Sequence, residues 1–213
     1  MYSTIVVRLG VIGDVHCQDE LLRISIQHLH GLGINRIYCT GDVVDGIGDI
    51  HKCIEYLRNA AVETVLGNHD DWLLDNQLRD LDFATPRTEL LEDELRYLKN
   101  LPQTIDIATP LGNALLCHGV GTNYMRKIDP DDCGYAIEAN EDLQKLIRER
   151  KYRFLINGHS SKKMLRDIRG LLVINAGSLK DPGFLTIDFE KRIAAFWLIA
   201  NQGQVLCEKE ARI

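Results

Sequence analysis

No apolar run in the chain is long enough to cross a bilayer. The longest one near the end, residues 193–200, is less than half of what a membrane helix needs, so no membrane-spanning helix is expected. Residues 1–9 lack the long apolar core of a signal peptide. The six cysteines include no Cys-x-x-Cys pair, and a chain of 213 residues has core enough to do without disulfides. They read as free, mostly buried thiols of a reducing compartment, so the cytoplasm is the expected location. Positive charge is also in short supply: 25 Lys and Arg against 31 Asp and Glu leave a formal net charge of -6. That balance argues against duplex nucleic acid as an obligatory partner. It leaves phosphate substrates open, because bound cations reverse a local field. There is no internal repeat, linker or low-complexity tract, and residues 1–213 read as a single domain.

What the chain does contain is a series of apolar segments that each end in a polar turn. Residues 5–12 are apolar and β-branched and run into Gly13-Asp14-Val15-His16. A helical pattern opens at Asp19 and Glu20 and closes at Gly31. A second strand at residues 34–39 ends in Gly41-Asp42-Val43-Val44-Asp45-Gly46. A second helical pattern then places Ile47, Ile50, Cys53, Ile54 and Leu57 on one face. A third strand, residues 62–66, ends in Gly67-Asn68-His69-Asp70. Strand, helix, strand, helix, strand with short loops predicts βαβ units and a parallel sheet. In such sheets ligands collect beyond the carboxyl ends of the strands, where all three acidic turns lie.

Further on, the pattern predicts a helix over residues 92–99, a hairpin of strands at 105–108 and 114–117, and a helix over 141–150. The second hairpin strand delivers His118-Gly119, and a strand at 154–156 delivers Gly158-His159-Ser160-Ser161. Residues 120–140 are irregular and polar. Strands at 163–168 and 171–174, then 184–189 and 193–199, complete an expected architecture of two packed sheets with helices outside.

The loop residues form a donor set: Asp14, His16, Asp42, Asp45, Asn68, His69, Asp70, His118 and His159. Carboxylate, imidazole and amide together suit Mn, Fe, Zn or a similar divalent ion, not a thiolate-rich structural zinc site. The groups exceed what one ion needs. Two ions about 3.5–4 Å apart, bridged by one carboxylate, would use them all. A lone Asp at a strand end is more often a turn or helix cap than a ligand, and only the combination reverses that reading. Cys117, beside His118, is a small apolar strand residue before it is a nucleophile. His28, His30 and His51 lie on helical patterns without partners. Trp72 is expected to pack. Asp129, Asp131 and Asp132 lack calcium-loop spacing.

The motifs Gly-Asp-Val-His at 13–16, Gly-Asp-Val-Val-Asp at 41–45, Gly-Asn-His-Asp at 67–70, His118-Gly119 and Gly158-His159 occur in the order found in the calcineurin-like metallophosphoesterases. Asn175-Ala176-Gly177-Ser178 resembles the turn that often follows them. The closest resemblance is to the small bacterial and archaeal phosphodiesterases of that superfamily. It implies an α/β fold, a four-layer α-β-β-α sandwich with two mixed sheets and the metal site at the carboxyl ends of the strands. It also implies two divalent ions, manganese first, with iron, nickel, cobalt or zinc as alternatives. Asp14 and His16 would bind the first ion, Asp42 would bridge, and Asn68, His118 and His159 would bind the second. His69 would stay off the ions as proton donor, with Asp70 and Asp45 supporting from behind. The implied reaction is hydrolysis of a phosphodiester, possible cyclic or nucleotide-derived substrates included, by a hydroxide held between the ions.

The family pattern usually ends Gly-His-x-His, with the last histidine on the first ion; here that position is Ser161. A hydroxyl is a poorer ligand, so weaker or more labile occupancy of the first site is expected. Arg126 and Lys127, with Ser161, are the substrate-binding candidates. Two alternatives follow from the resemblance: a phosphomonoesterase of the same fold, and a catalytically impaired scaffold like the retromer subunit. Asp45-Gly46-Ile47 and the final Asp70 depart from the Asp-Arg-Gly and Gly-Asn-His-Glu usual in the protein phosphatases and dinucleoside polyphosphate hydrolases. The expected partner is a small phosphate ester, and self-association into a homo-oligomer stays open.

Overall fold

The computed structural model describes residues 4–77 and 80–213. Its strands form two mixed sheets. The first contains β1 (Arg8–Ile12), β2 (Ile37–Cys39), β3 (Glu63–Thr64), β9 (Gly183–Asp188), β10 (Ile193–Ile199) and β11 (Val205–Arg212), in the order β11-β10-β9-β1-β2-β3. The second contains β4 (Thr104–Ile107), β5 (Ala114–Cys117), β6 (Phe154–Asn157), β7 (Met164–Ile168) and β8 (Leu171–Asn175), in the order β4-β5-β6-β8-β7. In each sheet three neighbouring strands run parallel: β1, β2 and β3 in the first, β5, β6 and β8 in the second. The remaining pairings are antiparallel.

Strand alternation builds the layers. Leu9, Val11, Tyr38, Leu185 and Ile187 from the first sheet meet Ala114, Leu116, Phe154, Ile156, Leu172 and Ile174 from the second in one apolar core between the sheets. The opposite faces, Leu115, Cys117, Leu155 and Val173, pack under α6 (Glu141–Glu149) through Leu143 and Leu146. Ile12, Ile37 and Cys39 pack under α1 (Asp19–Gly31), α2 (Ile50–Asn59) and α4 (Glu92–Lys99). The result is the expected four-layer α-β-β-α sandwich. Two shorter helices, α3 (Asn68–Leu74) and α5 (Tyr135–Glu138), lie at loop positions. Among the described residues no helix is long and apolar enough to cross a membrane.

The differences from the sequence reading have local causes. Helix α2 begins at Ile50 because the Asp49 carboxylate caps it through the Lys52 amide; Ile47 lies before the helix and is exposed. Strand β3 is only two residues long, since the Leu66 amide leaves the sheet for the Pro102 carbonyl, 2.8 Å away. Strand β11 carried no apolar signal because its residues, Glu208, Lys209 and Glu210 among them, are mostly exposed on the edge of the sheet. The tetrapeptide at 67–70 is the start of a helix, with Gly67 at its N-cap.

Candidate metal centre

All six parallel strands run toward the same cluster of loops. The Asp14 backbone bridges to Ser178, the Gly158 amide donates to the His118 carbonyl, and His118 reaches Thr40 of the other sheet. The glycines in these motifs have a steric function. A Cβ at Gly67 would lie 2.2 Å from Asp42 Oδ1, and one at Gly158 would lie 2.2 Å from Asp14 Oδ1. His16, Asp42, Asp45, His159 and Ser161 all have positive φ, between 47° and 65°. Such backbone persists only where the surroundings over-determine it, and it concentrates at functional sites.

Three imidazoles converge on one carboxylate oxygen. His118 Nε2 is 3.3 Å from Asp42 Oδ2, His16 Nε2 is 3.9 Å away and His69 Nε2 is 4.0 Å away. Each ring is turned by its other nitrogen. Nδ1 of His118 lies 2.6 Å from the Thr40 carbonyl, Nδ1 of His16 lies 2.9 Å from the Asp45 carbonyl, and Nδ1 of His69 lies 2.7 Å from Asp45 Oδ2. A carbonyl or carboxylate can only accept, so Nδ1 carries the proton and Nε2 points at the carboxylate. Asn68 Oδ1 stands 2.9 Å from His118 Nε2. His159 completes this flank, its ring 5.1 Å from that of His118.

This donor set fits a cation. His118 Nε2 faces two acceptor oxygens, a repulsive arrangement unless positive charge lies among them. Burial alone would depress the His118 pKa, but the Asp42 carboxylate overrides it and pushes the imidazole up to about 10. Burial likewise opposes ionisation of Asp42, yet His118, His69 and His16 hold its pKa below the usual carboxylate range. Burial and the neighbouring His118 push His159 down to about 4. Among the described residues, two groups have ligand atoms within 4.8 Å of one another: His16, Asp42 and His69, and Asp42, His118 and His159. Divalent ions would satisfy the same electrostatics.

Asp14 is fully buried between the flanks. Its Oδ1 accepts from Thr40 Oγ1 at 3.0 Å and the His159 amide at 3.3 Å, and its Oδ2 accepts from Ser161 Oγ at 2.8 Å. Burial raises its pKa.

His69 is held by a residue other than its neighbour in sequence. The Asp70 carboxylate accepts from the Val43, Val44 and Gly67 amides at 2.8, 3.2 and 3.0 Å, clamping the Asp42 loop to the start of α3. Burial raises the Asp70 pKa to about 7. Asp45 is the acceptor for His69, and the Thr85 amide in turn donates to Asp45 Oδ1 at 2.8 Å. Burial works against protonation of His69, but Asp45 and Asp42 prevail and raise its pKa. Trp72, three residues further along α3, sets its ring 5.0 Å from that of His69.

The cationic candidates separate. Arg126 is turned to Asp142, 3.3 Å away. Lys127 has no ion pair among the described residues, and its charge is felt at His159. Lys180, which the sequence did not single out, has the same relation to His16. It follows the Ser178 turn, whose hydroxyl donates to the Asp14 carbonyl. Thr40 and Thr85 were also missed. Thr40 directly precedes the Gly41-Asp42 motif, which was a usable signal; Thr85 had none. Cys117 is fully buried, which pushes its thiol up to about 12, too high for a nucleophile. Of the other histidines, His51 pairs with Glu94 and His28 lies against Phe184 and Trp197.

An uncharacterized protein of Methanocaldococcus jannaschii is 27% identical over 105 residues, which is 46% of this chain and 43% of that protein. The chain thus spans less than half the length of that relative. A metallophosphoesterase from Sphaerobacter thermophilus has a similar structure, with a TM-score of 0.66 at 20% identity over 90% of this chain and 87% of that one. A structure described as a novel archaeal phosphodiesterase gives a TM-score of 0.52 at 14% identity, over 97% and 99% of the two chains. At these identities the likeness is one of fold. The model of the calcineurin-like phosphoesterase superfamily domain matches residues 7–192, which include every loop that lines the Asp42 cluster. The chain belongs to the calcineurin-like phosphoesterase superfamily.

Proposed function

We propose that the chain is a metal-dependent phosphodiesterase acting on a small diester, cyclic and nucleotide-derived ones included, with His69 as proton donor. The observation that carries the proposal is the His69–Asp45 hydrogen bond, which leaves His69 Nε2 4.0 Å from the carboxylate on which the other ligands converge. Two ions, manganese first, would be held by Asp14, His16 and Asp42 on one side and by Asp42, Asn68, His118 and His159 on the other. When bound, they would polarise the phosphoryl oxygens and lower the pKa of water toward neutrality.

The protein's own groups supply the rest. The raised pKa of His69 keeps its ring protonated nearer to neutral pH. It gives the Nε2 proton to the leaving oxygen and keeps its Nδ1 proton hydrogen-bonded to Asp45, so no rotation is needed. Lys127 and Lys180 attract an anionic ester to opposite flanks. Diesters are favoured over monoesters by Asp45-Gly46-Ile47 and Asp70, which depart from the protein-phosphatase pattern, and by the phosphodiesterase among the fold neighbours.

A generic phosphodiester and a generic monoester, compared across Mn, Ni, Co, Zn and Mg, test the reading. Faster metal-dependent turnover of the diester is expected, and dominant monoester turnover overturns the substrate class.

A further inference from the structure

We infer that the two halves of the metal centre are unequal: the half containing Asn68, His118 and His159 keeps a resident ion, and the half containing His16 exchanges its ion with solution. The inference rests on the metal-dependent reading above and concerns this chain's own departure at residue 161.

The asymmetry is one of donors. On the resident side, the ligand atoms of Asp42, His118 and His159 lie within 4.8 Å of one another, and Asn68 Oδ1 lies 2.9 Å from His118 Nε2. That is four protein groups, from the ends of four different elements. On the other side the corresponding group is His16, Asp42 and His69. His69 is the proposed proton donor, which leaves His16 and Asp42.

Asp14 adds a third ligand, but its carboxylate also accepts three hydrogen bonds. Oδ2 accepts from Ser161 Oγ at 2.8 Å, and Oδ1 accepts from Thr40 Oγ1 and the His159 amide. Oδ2 keeps a lone pair for an ion, but the hydrogen bond from Ser161 draws electron density from that oxygen and makes it a weaker donor. A hydroxyl whose proton is directed at a carboxylate is also a weak ligand in its own right, far poorer than a neutral imidazole. Ser161 therefore removes one ligand and restrains another. Its φ of 54° is a conformation that histidine adopts more readily than most residues, so the backbone can accept the larger ring.

The test counts ions directly. Protein loaded with excess manganese is passed through a desalting column and its bound metal is measured by elemental analysis and native mass spectrometry. Wild-type chain is expected to retain one ion, and Ser161→His two. Ser161→Ala, which frees Asp14 without adding an imidazole, is expected to retain one while binding the second at least about threefold more tightly by titration calorimetry. Two ions retained equally by wild type and Ser161→His overturn the inference and leave the hydrolase reading standing. No ion retained by either protein overturns both. Should Ser161→His fail to fold, the wild-type count and the Ser161→Ala titration decide alone: two retained ions, or no tightening, reject the inference.

Discussion

The two flanks of Asp42 use the same residue types for different ends. On one, the His118 ring is wholly buried, anchored to a backbone carbonyl and faced by an amide oxygen and a carboxylate, so it has no route to solvent. On the other, the His69 ring is 18% exposed and is anchored to a carboxylate instead of a carbonyl. Asp42 raises the proton affinity of both rings, and at His69 the Asp45 carboxylate on Nδ1 adds to that effect. The buried flank suits a cation, and the open one suits the proton-donor role proposed for His69. Histidine count alone would never separate them. What separates them is the partner on Nδ1.

The most damaging single change should be Asp42→Asn, which removes the group common to both flanks. Phosphodiester turnover is expected to fall by at least about a thousandfold, the scale of several kcal/mol of lost transition-state stabilisation. Retained manganese should fall with it; an Asp42→Asn protein with wild-type turnover would refute the shared role.

His69→Asn should instead cut turnover about a hundredfold or more while leaving retained metal unchanged. Asp45→Asn is the sharper probe, because it alters the proton affinity of His69 and leaves the ring in place. A general acid must be protonated, so activity is lost as pH rises through the His69 pKa. In the wild type that limb is expected above the ordinary histidine value, since Asp45 and Asp42 outweigh burial. In Asp45→Asn the limb should move to lower pH, with a rate loss of about 10- to 100-fold at neutral pH. An unshifted limb would mean that another group governs the profile.

The smallest effect is expected far from the centre, at His51 on the surface of α2. Its bond to Glu94 raises its pKa, and the pairing stabilises the fold below the ordinary histidine value, fading as pH rises through the higher folded one. With His51 44% exposed, His51→Ala should cost under about 1 kcal/mol at pH 5.5 and nothing at pH 8.5. Urea melts at the two pH values check this. A loss equal at both would assign the residue a packing role.

Much of the architecture could be read from the chain because its causes are local. Asp19 to Gly31 and Glu92 to Lys99 match their helices at both ends, with acidic first turns and apolar stripes. The strands at 163–174 and 184–199 pair as antiparallel hairpins, as the sequence predicts. Strand β11 is illegible in the sequence because an exposed, charged edge carries no such pattern, and β3 is shorter than its apolar run because Leu66 bonds outside the sheet. Asp70 lies next to His69 in sequence, but a helical start directs its carboxylate back to the backbone amides of two loops, which residue identity alone does not reveal.

The sequence by itself determined which chemistry was available: hard and borderline ligands at the ends of parallel strands, a histidine beside an asparagine, and a serine where an imidazole was expected. Tertiary structure alone decided how those groups are used. Asp45 reaches His69 across 24 residues, Thr40 turns His118 across 78, and Ser161 restrains Asp14 across 147. Propensity and periodicity act within a few turns of chain, whereas these hydrogen bonds depend on how two sheets stack and bring their carboxyl ends together.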